Sequence, residues 1–378
     1  MKHVVVLVSN DIVFDQRIRK TARTLEEAGY RVTFVGRRFS DSPELPPGLV
    51  GRRYRLPFRS GPGFYLVLQV VYFVDLLLRR KVDAIWANDL DTLFPARAVG
   101  GLRGVPVVFD SHEFFTEHAG LEERPFVQWA WRQWESWWMP GVKAVVTVNE
   151  AIARAFQERF PRAAFGQPFV VRNMPEYRGP AELGDREAFA VWGVPSDLPI
   201  ALLQGAYLDR DRGVHDAVAM LEACPEVRLV LVGAGVEWDE ARAVQEAGGG
   251  GGRLHCIPRQ PAEVLRTLTR AADVGLSLDR DTSGNYRMSL PNKLFDYVHA
   301  GIPVVATALP EVRKVVEGQR IGVVVEHSGP AELARAIRSV LATDRDQWRA
   351  RAAEAARELH WGVDAPQLLQ ALSAAGCV

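Results

Sequence analysis

The chain has 378 residues, with 48% hydrophobic and 24% charged residues, and its 46 basic residues balance 46 acidic ones. That length exceeds what one hydrophobic core usually supports, so two domains are expected. The charge balance leaves no general positive field to attract nucleic acid. Its three cysteines, Cys224, Cys256 and Cys377, lie far apart without C-x-x-C spacing, which argues against a zinc site or a disulfide framework.

From the N-terminus, Val4–Ser9, Arg31–Gly36, Asp83–Trp86, Val105–Asp110 and Ala144–Val148 read as short buried strands. A helix is predicted over Gln16–Ala28, with Asp15 placed to cap it and Gly29 to stop it. No charged stretch followed by an apolar core and cleavage site begins the chain, so the expectation is a cytoplasmic protein. The longest apolar run, Phe64–Leu78, is interrupted by Gln69 and Asp75 and falls short of the ~20 residues expected of a bilayer span. With Arg59 before it and Arg79-Arg80-Lys81 after it, it reads as a buried helix or as an interfacial helix with basic ends. The tryptophans of Trp129–Trp138 allow the same two readings, because Trp131, Trp134 and Trp138 share a helical face.

Asn173–Leu183, with Pro175 and Pro180, reads as a hinge. A second series of strands follows: Ile200–Leu203, Arg228–Val232, Leu254–Ile257, Val274–Leu278, Pro303–Ala306 and Gly322–Val325. Two strand–helix series in tandem imply two α/β domains with parallel sheets, divided at 1–175 and 176–378, the last helix a candidate to cross back to the first domain. Ligand is expected in a cleft between them, near the carboxyl ends of the strands. The glycine run Gly248–Gly252 lacks a following Lys-Ser/Thr and reads as a flexible connection.

The most informative segment is Ser289–Gly301. Pro291 suits a helix start, Leu294, Phe295 and Val298 form one apolar face, and Gly301 ends the helix. Such a helix start above a sheet offers unpaired amides and a positive dipole end to an anion such as diphosphate. Lys293 adds a full positive charge in the first turn, where an anion would relieve its opposition to the dipole. Asp296, one turn on, is placed to accept bonds from two vicinal hydroxyls; a plain solvent-facing role is the alternative.

The run PNKLFDYVHAGIPVVAT resembles the donor-binding segment of glycosyltransferase family 4, whose members have the GT-B fold. Further segments resemble the family in the same order. They are Asp15-Gln16-Arg17, Asn88-Asp89-Leu90-Asp91, Phe109-Asp110-Ser111-His112-Glu113, Gly205 with Asp211-Arg212-Gly213, and Val232-Gly233-Ala234-Gly235. The resemblance implies two Rossmann-like domains facing each other across a cleft, and a retaining, metal-independent transfer of a sugar from a nucleotide-diphosphate sugar to a glycan or lipid-linked acceptor. It assigns Arg212 and Lys293 to the leaving diphosphate and His112 to the neighbourhood of the transferred sugar. The donor further falls to Gly205, Gly233, Arg259, Asn292, Leu294 and Asp296, and the acceptor side to Asp15, Arg17 and Glu113. For Asp15 the helix-cap reading stands beside the functional one. No metal and no cofactor beyond the donor substrate are implied, and a peripheral membrane contact is among the expected partners.

Two departures from the family pattern stand out. Ala206 follows Gly205 where an arginine is usual, and Met288 stands eight positions before Asp296 where a sugar-contacting glutamate is common. They keep two alternatives in view, a UDP-sugar 2-epimerase-like enzyme and a non-catalytic nucleotide-sugar-binding module. The D-x-D tripeptides Asp89–Asp91, Asp209–Asp211 and Asp279–Asp281 fall in separate loops and are set aside as metal sites.

Overall fold

Apolar, β-branched runs too short for helices form the centre of each half of the chain. The computed structural model describes residues 1–13, 15–182 and 184–377, with Ala119 described by its backbone alone. Leu183, the last residue of the predicted hinge, lies outside the described residues. The chain divides into two compact units, Met1–Asn173 with Asp364–Val378, and Met174–Val363.

In the first unit the strands are β1 (His3–Leu7), β2 (Arg31–Arg37), β3 (Gly51–Tyr54), β4 (Ala84–Asn88), β5 (Val107–Ser111), β6 (Ala144–Thr147) and β7 (Phe169–Val170). They form one parallel sheet in the order β3-β2-β1-β4-β5-β6-β7. The predicted strands are recovered within a few residues. β3, reading Gly-Arg-Arg-Tyr, was not predicted, because it lacks an apolar pattern; it is held as an edge strand by pairing with β2. The chain departs in opposite directions from β1 and β4, so the loops after β1, β4 and β5 gather at a topological switch point.

Helix α1 (Gln16–Glu27) buries Ile18, Ala22 and Leu25, and Asp15 caps it through a bond from the Ile18 amide (3.1 Å). Helix α2 (Gly61–Leu78) buries Phe64, Leu68, Tyr72 and Leu76 against the unit while exposing Leu66, Val70, Val74 and Leu78. Among the described residues it is the one helix that length and composition would allow to cross a membrane, with mean hydropathy 1.6 and a third of its window buried. Helix α3 (Leu93–Arg103) places Phe94 against Trp134 and Trp138 of the helix Pro125–Trp138, and Trp131 packs on Tyr65. The shared face is therefore packed, while Trp129 and Trp137 on the same helix are exposed. The C-terminal helix Pro366–Ala374 packs on α1, β6 and β7, and Arg172 pairs with Asp364 (2.8 Å).

The second unit has β8 (Ile200–Gln204), β9 (Arg228–Gly233), β10 (Leu254–Pro258), β11 (Val274–Ser277), β12 (Val304–Thr307) and β13 (Gly322–Val325). Again the sheet is parallel, in the order β10-β9-β8-β11-β12-β13, with an apolar core on each face. The run Gly248–Gly252 forms the connection from the helix Val236–Glu246 to β10. One close approach positions the helix Asn292–Ala300. The buried ring of Tyr297 lies flat on Gly275, where a Cβ would overlap it, and its hydroxyl donates towards the carbonyls of Leu202 (3.1 Å) and Leu276 (3.0 Å). The helix is thereby fixed over the carboxyl ends of β8 and β11.

Candidate active site

In the second unit two loops and a helix start meet at one carboxylate. Asp279 follows β11, is fully buried, accepts from Arg212 Nη1 at 2.9 Å and forms an ion pair with Lys293 Nζ at 3.0 Å. Its own carbonyl accepts a bond from the Thr307 hydroxyl (2.6 Å), which ties the loop to the end of β12. Burial alone would raise the Asp279 carboxyl, but the Lys293 ammonium and the Arg212 guanidinium hold it below the usual carboxylate range. Burial lowers Lys293 from its ordinary value; Asp279 opposes that shift and Arg212 adds to it. Two cations thus converge on one carboxylate beside a helix start. Gly213, at φ +76°, lets the Arg212 loop lie against Leu278, which puts Arg212 within reach of Asp279.

Pro291 precedes the helix without a side-chain cap, and Gly301 ends it in the left-handed conformation. Of the expected cradle, the Leu294 amide bonds back to the Pro291 carbonyl (3.1 Å) and its side chain is buried. The amides of Asn292 and Lys293 are those a helix leaves without an intrahelical acceptor. Asp296 is half-buried and accepts from Gln204 Nε2 (3.1 Å), whose Oε1 accepts the Thr269 hydroxyl (2.7 Å). Gly205 and Gly233 end neighbouring strands, and a Cβ on Gly233 would meet the Gly205 carbonyl. Arg259 is exposed beyond the edge strand β10 and lies over the Tyr207 ring (5.6 Å). Strands β9 and β8 separate β10 from β11, which leads into Asp279. Met288 closes the short helix Gly284–Arg287.

Each D-x-D aspartate in this unit has its own local task. Asp209 caps the helix Val236–Glu246 through the Val236 amide (2.9 Å), Asp211 accepts from Thr282 (3.0 Å), and Asp281 pairs with Arg287 (3.0 Å). Among the described residues no group of three or more His, Cys, Asp or Glu side chains is placed to hold a metal ion.

A second cluster occupies the switch point of the first unit. His112, 19% exposed, has Nδ1 3.4 Å from Asp89 and Nε2 3.7 Å from Asp110, and its amide donates to Asp89 (3.0 Å). Burial would lower the imidazole, but Asp89 and Asp110 together push it up to about 9. His112 is therefore an imidazolium at neutral pH, a donor of hydrogen bonds and not a base. Asp110 is fully buried; burial opposes its ionisation, yet Arg17 and His112 hold it far below the usual range. Asp91 is pushed up to about 7 by burial, with Asp89 adding to the effect.

The expectation that Arg17 faces an acceptor meets a guanidinium only 2% exposed and bonded inward, to Asp110 (2.7 Å) and the Val171 carbonyl (2.6 Å). Asp15 serves as the α1 cap, and the Glu113 carbonyl accepts from Ser111 Oγ (2.6 Å). Asp279, Asp89 and Asp110 stand within short motifs in the sequence, which assign none of them as the carboxylate behind a cation. Asp279 and Asp281 look alike in sequence. Depth separates them: one is fully buried, the other 43% exposed.

Comparison with known proteins gives the family and the fold. The family model of the glycosyl transferase 4-like domain matches residues 15–168, and that of glycosyl transferases group 1 matches residues 209–343. One falls on each unit, and together they take in most of the chain. The chain belongs to the group 1 glycosyltransferases, enzymes of GT-B fold. A phosphatidyl-myo-inositol mannosyltransferase of Mycobacterium leprae (strain TN) is 29% identical over 192 residues, 47% of this chain and 47% of that protein. The match thus spans about half the length of the curated relative.

Three solved structures are similar over nearly the whole chain. Sucrose-phosphate synthase from Thermosynechococcus elongatus has a TM-score of 0.76 at 19% identity, covering 98% of both chains. Anabaena Alr3699/HepE in complex with UDP and glucose has a TM-score of 0.71 at 15% identity, covering 99% of this chain and 100% of its own. WaaG, a glycosyltransferase involved in lipopolysaccharide biosynthesis, has a TM-score of 0.69 at 14% identity, also covering 99% and 100%. At such identities the likeness is one of fold.

Proposed function

We propose that the chain is a retaining, metal-independent glycosyltransferase that moves a sugar from a nucleotide-diphosphate sugar to a glycan or lipid-linked acceptor. The observation that carries this reading is the convergence of Arg212 and Lys293 on buried Asp279 beside the start of the helix Asn292–Ala300. A preorganised pair of cations suits the charge that develops on a leaving diphosphate. Asp296, one turn further, suits the ribose hydroxyls, and Gln204 orients its carboxylate. A solved neighbour, Alr3699/HepE, is a complex with UDP-glucose, which agrees with a nucleotide-sugar donor.

In the proposed step the acceptor oxygen bonds to the anomeric carbon on the face from which the diphosphate departs. The bond from that carbon to the diphosphate oxygen breaks, and the leaving diphosphate takes the acceptor proton. Arg212 and Lys293 stabilise that leaving charge, and the His112 imidazolium donates hydrogen bonds near the transferred sugar. No protein nucleophile and no metal are needed.

Lys293→Ala and Arg212→Ala should each lower kcat by roughly 10²- to 10³-fold, measured as nucleotide release that depends on added acceptor. Unchanged turnover in both would remove the diphosphate assignment. Binding of a nucleotide sugar with neither transfer nor hydrolysis would favour a binding module instead.

Peripheral membrane contact belongs to the same proposal. Leu66, Val70, Val74 and Leu78 on α2 are exposed, with exposed Arg80 and Lys81 directly after the helix, which suits an anionic bilayer surface. Sedimentation with anionic liposomes should fall in Arg80→Gln/Lys81→Gln; absence of sedimentation by the unaltered chain would refute the contact.

A further inference from the structure

An arginine-lined pocket lies in the first unit beyond the ends of β2 and β3, apart from the His112 cluster. It is open, about 260 Å³ in volume, and lined by Arg37, Arg38, Arg55 and Arg59 with Phe39 and Ser40 among the remaining wall residues. None of its lining residues is acidic. Arg37 forms the base. It is buried, its Nη2 donates to the carbonyls of Phe58 and Arg59 (both 2.9 Å), and its guanidinium stacks over Phe39 and Phe64 (both 4.4 Å). Those contacts fix the loop that carries Arg59. Arg38 is held by its amide to the Tyr54 carbonyl (2.9 Å) and by its side chain to Glu44 (2.6 Å). Arg55 and Arg59 are exposed, and among the described residues neither has a carboxylate partner.

Of the four arginines, only Arg38 is paired with a neighbouring carboxylate among the described residues, Glu44. Asp11 pairs with Arg53 (3.3 Å), Asp75 serves Arg79 (3.0 Å), and Glu44 is shared between Arg38 and Arg53. Asp41, on the Ser40 side, is exposed to solvent. A second feature points the same way. Helix α2, of 18 residues, starts at Gly61 with no side-chain cap from Ser60, and Phe64 of its opening turns is one of the two rings on which Arg37 stacks. An uncapped helix start therefore adjoins the four guanidinium groups, and both features favour negative charge.

We propose that this pocket is a second anion site, distinct from the Arg212–Lys293 pair, which binds a phosphate or diphosphate group through Arg55 and Arg59 over a base of Arg37. Guanidinium groups match phosphate oxygens two at a time, and four of them around one small pocket suit a multiply charged phosphate better than a single carboxylate. In a transferase with a glycan or lipid-linked acceptor, the group is a phosphate that the acceptor carries. That last step rests on the proposed function; the site itself does not.

Calorimetric titration of the full chain with inorganic pyrophosphate tests the site without reference to activity. Arg55→Gln/Arg59→Gln changes only exposed side chains, so its fold is preserved and circular dichroism will verify this. Each charge-assisted bond lost should weaken binding by about tenfold, while Arg242→Gln, an exposed arginine of the second unit, serves as the unaffected control. Lys293→Ala removes the donor-side contribution, and the Arg55/Arg59-dependent binding should survive it. A parallel sedimentation with phosphatidylglycerol–phosphatidylcholine vesicles distinguishes the sources. Pyrophosphate binding that depends on Arg55 and Arg59 supports a soluble phosphate group, and dependence of vesicle binding alone supports a lipid headgroup. If the double variant changes neither, the proposal is overturned, whatever the fate of the donor-site assignment.

Discussion

Asp279→Asn tests the physical basis of the donor-side cluster. The substitution keeps size and one acceptor but removes the negative charge between Lys293 and Arg212, 3.0 and 2.9 Å away. At an effective dielectric of about 20, opposite charges some 3 Å apart attract by roughly 5 kcal/mol. Part of that only offsets desolvation, and the Arg212 share is discounted because its side chain is 35% exposed. Lys293 is 8% exposed and stays close to Arg212, so it bears most of the loss. A net destabilisation of about 3 kcal/mol is expected, at the lower end of what removing one partner of a buried ion pair costs.

Urea unfolding at neutral pH measures it. Saturating nucleoside diphosphate should stabilise the variant more than the unaltered chain, because the ligand restores the missing negative charge. With Asp279 neutral, Lys293 should also shed its proton at lower pH, so ligand affinity in the variant should fall earlier as pH rises. A loss below about 1 kcal/mol, with no added stabilisation by ligand, would show that the three groups are not electrostatically coupled.

The remaining expectations concern the first unit and the packing beneath the donor helix. His112 is held at about 9 in the fold against 6.5 unperturbed. Its raised value contributes up to roughly 3 kcal/mol, present in full below pH 6.5 and lost as pH rises through about 9. His112→Gln should flatten stability over that interval, and imidazole titration by NMR reads the value directly. Asp110→Asn strands the buried Arg17 guanidinium and should cost about 3–5 kcal/mol. The double replacement Arg17→Met/Asp110→Leu should cost less than the single one, and equal or greater loss would contradict a buried pair. Gly275→Ala pushes a Cβ into the Tyr297 ring and should destabilise the second unit by about 1–3 kcal/mol; a neutral result in urea unfolding would mean that the helix shifts freely.

Most strand positions were readable because a parallel strand buried on both faces is apolar along its length, as Val4–Val6 and Leu229–Val232 are. The edge strand Gly51–Tyr54 escaped that reading because pairing with one neighbour, not burial, sustains it. The helix Asn292–Ala300 could be placed from its own terminal residues, since Pro291 and Gly301 act locally. Lys293 and Arg212 could be nominated from their motifs, as could His112.

What no local pattern contained was how these side chains are held. Arg17 looks like any polar residue on the first turn of a helix, yet the fold brings it to Asp110, 93 positions away, and buries both. Asp279 looks like Asp281, and only its burial against Arg212 and Lys293 makes it the shared anchor of two cations. The sequence by itself determined the class of fold and the identity of the cations, because strand burial, helix ends and short motifs are local properties. Tertiary structure alone decided which carboxylates oppose those cations and what protonation state results, because desolvation and Coulomb energy depend on distances between residues far apart in the chain.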